Sequence, residues 1–269
     1  MQKNAPIGIF DSGIGGLTVA HAIKAELPNE DLIYFGDTAH LPYGDKSTAT
    51  IQAYAIKIAD FFLQQQCKVI VIACNSASAA ANELLKEYVA SRATIINVIE
   101  PMVDYVAAHH ANQQVGVIGT KQTINSNIYA NSIASKKVGI RVSSLATPLL
   151  VPMIEEGFLH NNIAQDIIQK YLGDESLAHI NSLVLGCTHY PLIKEELNIF
   201  FEGKVDMLDS SIITAKSLKE FLAQNNLLNG ALAEGNNSFF VSDLTESFKH
   251  SAKLFFGKPV VLQKHQLWE

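Results

Sequence analysis

The sequence predicts an α/β protein in which parallel strands alternate with helices in two related halves. Short apolar runs that end in small or polar residues alternate with longer segments of helical periodicity, a pattern typical of parallel βαβ units. Two of these runs end in Cys74 and Cys187, and polar residues follow both cysteines. Gly8 precedes Cys74 by nearly the same interval as Gly116 precedes Cys187, and this indicates an internal repeat.

Taken in order, the apolar runs predict strands at residues 7–10, 32–35, 69–72, 94–99, 115–119, 140–145, 183–186, 205–208, 238–242 and 259–262. Apolar residues at helical spacing, or the need to connect parallel strands, predict helices at residues 17–26, 48–65, 163–172 and 212–224 and after Cys74, Pro101, Thr120, Cys187 and Ser242. A long polar loop at residues 36–47 follows the second strand, and loops of this length are usually functional. The proline in Glu100-Pro101 predicts a boundary between the halves.

Composition excludes several classes of protein. The chain has 269 residues, of which 48% are hydrophobic and 17% are charged, and its net charge is -6. No basic stripe suggests nucleic-acid binding, and no apolar run is long enough for a membrane span or signal peptide. The odd set of Cys67, Cys74 and Cys187 argues for free thiols and, with the other features, for a cytoplasmic protein.

Cys74 and Cys187 are the strongest candidates for chemistry. Each is predicted at the carboxyl end of a strand, where open α/β sheets bind ligands and where a following helix favours a thiolate. We interpret them as a pair that faces one substrate and moves a proton. Free cysteines are also common as small buried hydrophobes, and this structural interpretation is the better one for Cys67, which precedes its strand.

The glycine-rich turn at residues 11–16 (DSGIGG) follows the first strand. Its spacing is not that of a dinucleotide-binding loop, and the acidic Asp11 would repel phosphate. Asp11 suits an amino group, or a role in tuning a nearby thiol. The alternative is a simple tight turn in which Asp11 caps a helix.

His189 lies two residues after Cys187. Two ligands do not close a metal site, and the sequence has no other Cys/His cluster, so no metal is predicted. We interpret His189 as a proton relay or as a charge that biases Cys187. Glu155 and Glu156 are either solvent-facing helix residues or, for one of them, part of the mouth of the site. His109 and His110 are interpreted as surface or structural residues.

Taken together, several motifs along nearly the whole chain resemble the glutamate racemase family, and as an ordered set they are highly specific. They are FDSGIGGLT at 10–18, YFGD at 34–37, LPYG at 41–44, ACN at 73–75, GVIGT at 116–120 and LGCTHYPL at 185–192. The family commonly has threonine after its Cys-Asn pair, and here Ser76 keeps the hydroxyl.

The resemblance implies a racemase that needs no cofactor and supplies D-glutamate for peptidoglycan. It implies two pseudo-symmetric domains, each a mostly parallel sheet flanked by helices, with the active site in the cleft between them. The first domain is expected at 1–98 plus 208–269 and the second at 99–207. Family members are often dimers, so a homodimer is expected, and the only other expected partner is glutamate.

The resemblance also implies roles for particular residues. Cys74 and Cys187 are expected to be the two proton donors and acceptors. Asp11 and His189 are expected to assist their respective thiols, with Asp37 and Glu155 as weaker candidates for the same role. The residues expected to hold the substrate are Asp11, Ser12, Tyr43, Gly44, Asn75, Ser76, Thr188 and His189.

Other functions remain open at this point. An aspartate or hydantoin racemase of the same superfamily would share the thiols but differ in the side-chain pocket. A non-catalytic amino-acid-binding protein would not need a cysteine at both strand ends. A thiol hydrolase would require a separate partner histidine in the fold.

Overall fold

Two parallel sheets form the framework of the structure, a computed structural model that describes residues 2–268. Their strands are β1 (Ile7–Asp11), β2 (Leu32–Gly36), β3 (Val69–Ile72), β4 (Thr94–Asn97), β5 (Gln114–Gly119), β6 (Arg141–Ala146), β7 (Ser182–Gly186), β8 (Asp206–Asp209), β9 (Asn237–Val241) and β10 (Leu262–Lys264). Strands β1, β3 and β7 are buried along their whole length, as expected of apolar runs with helices on both faces.

The strand order confirms the repeat that the sequence predicts. The first sheet has the order β10-β9-β2-β1-β3-β4 and the second has the order β6-β5-β7-β8. The segment β2-β1-β3-β4 thus matches β6-β5-β7-β8 strand for strand. β9 and β10 extend the first sheet beyond β2, so the chain returns to the first sheet after it has built the second.

Helices connect and cover the strands, and side chains fix where several of them begin. They are α1 (Leu17–Glu26), α2 (Thr48–Gln64), α3 (Asn75–Val89), α4 (Ile99–His109), α5 (Lys121–Asn125), α6 (Ile128–Ser135), α7 (Leu150–Glu155), α8 (Asn162–Leu172), α9 (Lys194–Phe200), α10 (Ser210–Gln224) and α11 (Glu246–Phe256). Ser47 caps α2 by accepting a hydrogen bond from the backbone N–H of Thr50, and Asp209 caps α10 in the same way with Ser211. These caps begin the helices within a few residues of the predicted positions.

Two local predictions were wrong. The last strand is β10 and not residues 259–262, because pairing with β9 begins only at Leu262; Val261 is 78% exposed. The chain after Cys187 first forms a 3-10 turn at Tyr190–Ile193, and α9 begins only after it. Pro101 lies in the first turn of α4, where its missing N–H is not needed, and α4 connects β4 of the first sheet to β5 of the second.

Within residues 2–268, no helix combines the length and the apolar character that a membrane crossing requires.

Candidate active site

One cavity of about 220 Å³ lies where the carboxyl ends of the two sheets meet. Both Cys74 and Cys187 line it, each directly after the strand that the sequence predicted. Asp11 and Asp37 do not line it. The other predicted site residues all do, and they are Ser12, Tyr43, Gly44, Asn75, Ser76, Glu155, Thr188 and His189.

Cys74 lies in surroundings that favour a neutral thiol. It is the N-cap residue of α3, and its Sγ accepts a hydrogen bond from the backbone N–H of Ala77 at 3.5 Å. Its S–H group faces Ser12 Oγ at 3.6 Å. Burial, together with the nearby charge of Asp11, raises the pKa of the Cys74 thiol to about 12, although the hydrogen bonds from Ala77 and to Ser12 act in the opposite direction. Cys74 therefore holds its proton at neutral pH.

Cys187 has a cation beside it. His189 Nδ1 lies 3.8 Å from Cys187 Sγ, and His189 Nε2 lies 3.0 Å from Glu155 Oε1. Burial by itself lowers the pKa of His189, but the hydrogen bonds to Cys187 and Glu155 outweigh it and raise this pKa to about 10. The His189 imidazolium thus places a positive charge beside Cys187 Sγ, whereas the carboxyl of Asp11 lies near Cys74. The two thiols thus face the same cavity from opposite electrostatic environments.

Asp11 lies behind the cavity. It is fully buried, and its Oδ2 accepts a hydrogen bond from the backbone N–H of Gly13 at 3.0 Å. Burial raises the pKa of this carboxyl, while the charge of His189 and backbone hydrogen bonds oppose the shift. Its Oδ1 has no hydrogen-bond partner among the described residues. The N-cap of α1 is Gly16, without a side-chain cap, so Asp11 stabilises the turn and not the helix start.

The glycine-rich turn gives His189 room. A Cβ atom at Gly15 would lie 2.3 Å from His189 Cε1 and 2.6 Å from Thr188 Oγ1, far inside van der Waals contact. Only glycine lets the first sheet approach these two residues of the second so closely. The turn therefore serves close packing at the site, which the sequence pattern alone did not show.

Asp37 reaches the cavity only through Tyr43. Its Oδ2 accepts a hydrogen bond from the Tyr43 hydroxyl at 2.6 Å, while its Oδ1 lies 2.8 Å from both Ser242 Oγ and His40 Nδ1. Burial and the neighbouring Asp37 raise the pKa of Tyr43 well above its ordinary value. Tyr43 therefore stays a neutral hydroxyl, held in place at the cavity wall by a carboxylate.

Sequence reasoning missed four polar residues that line the cavity, Asp45, Thr120, Lys121 and Thr147. The repeat could have found two of them. Thr120 follows β5 as Ser12 follows β1, and Thr147 follows β6 as Asp37 follows β2, with β1 and β5 paired to β2 and β6 in equivalent registers. Thr120 Oγ1 lies 2.8 Å from Ser76 Oγ, so these hydroxyls join the two halves of the site.

Lys121 also joins the halves, at the rim of the cavity. Its Nζ lies 3.1 Å from Asp45 Oδ1, and the next residue, Gln122, donates a hydrogen bond to Thr48 Oγ1 at 3.1 Å. Both charged side chains are more than half exposed, so the pair contributes little to stability. Its position suits it to control access to the cavity.

The fold and the site define a two-sheet α/β protein with one thiol from each half on a small shared cavity. The chain belongs to the Asp/Glu/Hydantoin racemase family, whose model matches residues 17–218. Glutamate racemase of Geobacter metallireducens is 42% identical over 251 residues, which cover 93% of this chain and 92% of that protein. The crystal structure of Francisella tularensis glutamate racemase in complex with D-glutamate is 41% identical, with a TM-score of 0.91 and 98% of each chain covered. An aspartate racemase of Picrophilus torridus is 14% identical, with a TM-score of 0.58 over 82% of this chain and 98% of that chain, and this likeness is one of fold.

Proposed function

We propose that this chain is a glutamate racemase that interconverts L- and D-glutamate by two-base proton transfer at Cα and provides D-glutamate for peptidoglycan. The observation that carries the proposal is the placement of Cys74 and Cys187 on one small cavity in opposite electrostatic environments. Relatives about 40% identical over nearly the whole chain are glutamate racemases, and this favours glutamate over other substrates of the family.

The chemistry requires a base on one face of Cα and an acid on the other. In the state described here, Cys187 beside the His189 imidazolium is suited to remove a proton, and the protonated Cys74 is suited to return one to the opposite face. After the transfer the two thiols have exchanged protonation states, which is what the reverse reaction needs. Each Sγ must come within about 3–3.5 Å of Cα for this.

The negative charge that develops next to the α-carboxylate also needs stabilisation. Hydrogen-bond donors fixed in place before the reaction stabilise such charge best. Asn75, Ser76 and Thr188 line the cavity at the two cysteine turns, and the amino-terminal end of α3 adds its dipole. These groups and the two thiols supply every proton transfer and the charge stabilisation, so we propose that no cofactor takes part.

The decisive test follows L-glutamate in D₂O with purified protein and no added cofactor. We expect the optical rotation to decay to zero and the D-glutamate formed to carry solvent deuterium at Cα. Product that retains the original hydrogen would contradict a two-base route. Protein that binds glutamate without exchange at Cα would be a binding protein, and faster turnover of aspartate or a hydantoin than of glutamate would identify one of the sister racemases.

Charge reversal at the cavity rim tests the access role of Lys121. We expect Lys121→Asp to raise the KM for glutamate about two- to fivefold with little change in kcat. The new carboxylate would repel Asp45 on the other side of the rim, and both carboxylates would repel an anionic substrate. The paired variant Asp45→Lys/Lys121→Asp should recover most of the wild-type KM. An equal loss in the paired variant would show that the ion pair itself does not matter.

We also propose the organisation in which the enzyme acts. Two sheets with one cavity between them support a first domain at 1–98 plus 208–269 and a second at 99–207, with β8 extending two residues past that boundary. Cys67, Cys74 and Cys187 are free thiols, and this supports a reducing cytoplasm. The proposal of a homodimer rests on the family resemblance, and sedimentation measurements with the purified protein test it.

A further inference from the structure

Asn75 is anchored at one end and free at the other. It is the first residue of α3, directly after Cys74, and is 2% exposed. Its Oδ1 accepts a hydrogen bond from the hydroxyl of Tyr129 at 2.7 Å. Its Nδ2 is buried and has no hydrogen-bond partner within residues 2–268. A buried donor without a partner is costly unless a ligand is meant to complete it.

Tyr129 itself does not belong to the cavity wall. It lies in α6, on the half of the molecule built around the second sheet, and is 2% exposed. Its ring lies beside Gly186, where a Cβ would make an ordinary van der Waals contact with the ring atom Cε2 at 3.6 Å. Burial, and then the nearby Cys187, raises the pKa of its hydroxyl, so Tyr129 keeps its proton and remains a donor. Its contact with the site is the hydrogen bond to Asn75.

Whether Tyr129 binds Oδ1 or Nδ2 of Asn75 decides which of these two atoms is available to a substrate. A carboxamide offers a donor at Nδ2 and an acceptor at Oδ1, and rotation of the amide exchanges the two. A hydroxyl that donates to Oδ1 leaves Nδ2 available to an anion. In the opposite orientation Oδ1 would face the substrate carboxylate and repel it. Because the Tyr129 hydroxyl donates to Oδ1, Nδ2 is the group of Asn75 that is left for a carboxylate.

We propose that Tyr129 is a positioning residue, whose hydroxyl fixes the Asn75 amide so that Nδ2 donates to the α-carboxylate of an amino-acid substrate. The inference rests on the proposed function and deepens it. Tyr129 and Asn75 come from different halves of the molecule, so the donor is set only when the halves are together. The Asn75 amide that donates to the substrate carboxylate is therefore oriented only when the two halves come together to form the site.

A double-mutant cycle on Tyr129→Phe and Asn75→Ala tests the inference. We expect Tyr129→Phe to lower kcat/KM for glutamate about 10- to 100-fold in the wild-type background, the range for a hydrogen bond to a charged group, with kcat itself reduced. In the Asn75→Ala background the same change should have less than about a twofold effect, because the amide that Tyr129 orients is gone. Rates are normalised to the folded fraction measured by circular dichroism.

The control is Tyr88→Phe, which removes a tyrosine hydroxyl bound to Asp60 at 2.6 Å, away from the cavity, and should leave kcat/KM unchanged. A structural role for Tyr129 would give the same loss in both backgrounds, and this result would overturn the inference. The cycle is also read on the dissociation constant of glutamate, measured by calorimetry. If the wild-type protein binds glutamate without turnover, the proposed function fails, while the same lack of additivity in binding still decides the role of Tyr129.

Discussion

Serine in place of Cys74 or Cys187 is expected to lower kcat/KM for glutamate about 10³-fold in both directions, within the range of positioned acid–base groups. Serine keeps nearly the same shape, but its hydroxyl holds its proton too tightly to act as the base. The value of kcat/KM falls in both directions because the thiol that serves as the acid in one direction is the base in the other. The measurement is initial racemisation of each enantiomer by circular dichroism.

The third cysteine provides the matched control. Cys67 lies before the amino-terminal end of β3, whereas the cavity lies at the carboxyl end, and Cys67 is 1% exposed. Burial raises the pKa of its thiol to about 12, and it behaves as a small core residue. Cys67→Ala should retain near-normal turnover. The double variant Cys74→Ser/Cys187→Ser should be little worse than either single variant, because the pair acts as a unit. Near-normal turnover in either single serine variant would end the two-base interpretation.

The parts of the fold and site that depend on local pattern could be predicted from the sequence. A buried strand followed by a polar turn is a short-range signal, so the positions of Cys74 and Cys187 at strand ends were correct. The internal repeat was also predicted correctly, because the similar spacing of Gly8 and Gly116 from their cysteines reflects the same βαβ path in both halves. By contrast, β10 lies at the sheet edge beside β9, and its bounds follow from that pairing, which begins at Leu262, rather than from local apolar character.

The features that could not be predicted are the burial of individual side chains and their contacts with residues distant in the sequence. Asp11 and Asp37 stand at strand ends, yet packing turns both away from the cavity wall, and Asp37 binds Ser242 from the far end of the chain. Tyr129 has the sequence signature of a core residue on a helix, and its partner Asn75 is 54 positions away. Such contacts exist only once the two sheets have come together.

Replacement of His189 by asparagine is expected to lower kcat/KM about 10²-fold, since the positive charge beside Cys187 Sγ disappears. A direct readout is the rate at which iodoacetamide alkylates each cysteine, measured by peptide mapping. Alkylation of Cys187 should slow markedly, while that of Cys74 should change little. The matched control is His160→Asn, which breaks the His160–Glu196 pair at the surface and should affect neither rate.

The pH dependence of stability has a defined sign for the same variant. The pKa of His189 is raised from 6.5 to about 10 in the folded protein, so its contribution to stability is complete below pH 6.5 and is lost as the pH rises through about 10. The difference in free energy of unfolding between the wild type and His189→Asn should therefore be larger at about pH 6 than at about pH 10. A difference that grows as the pH rises, or unchanged alkylation of Cys187, would mean that His189 does not carry the charge that the geometry assigns to it.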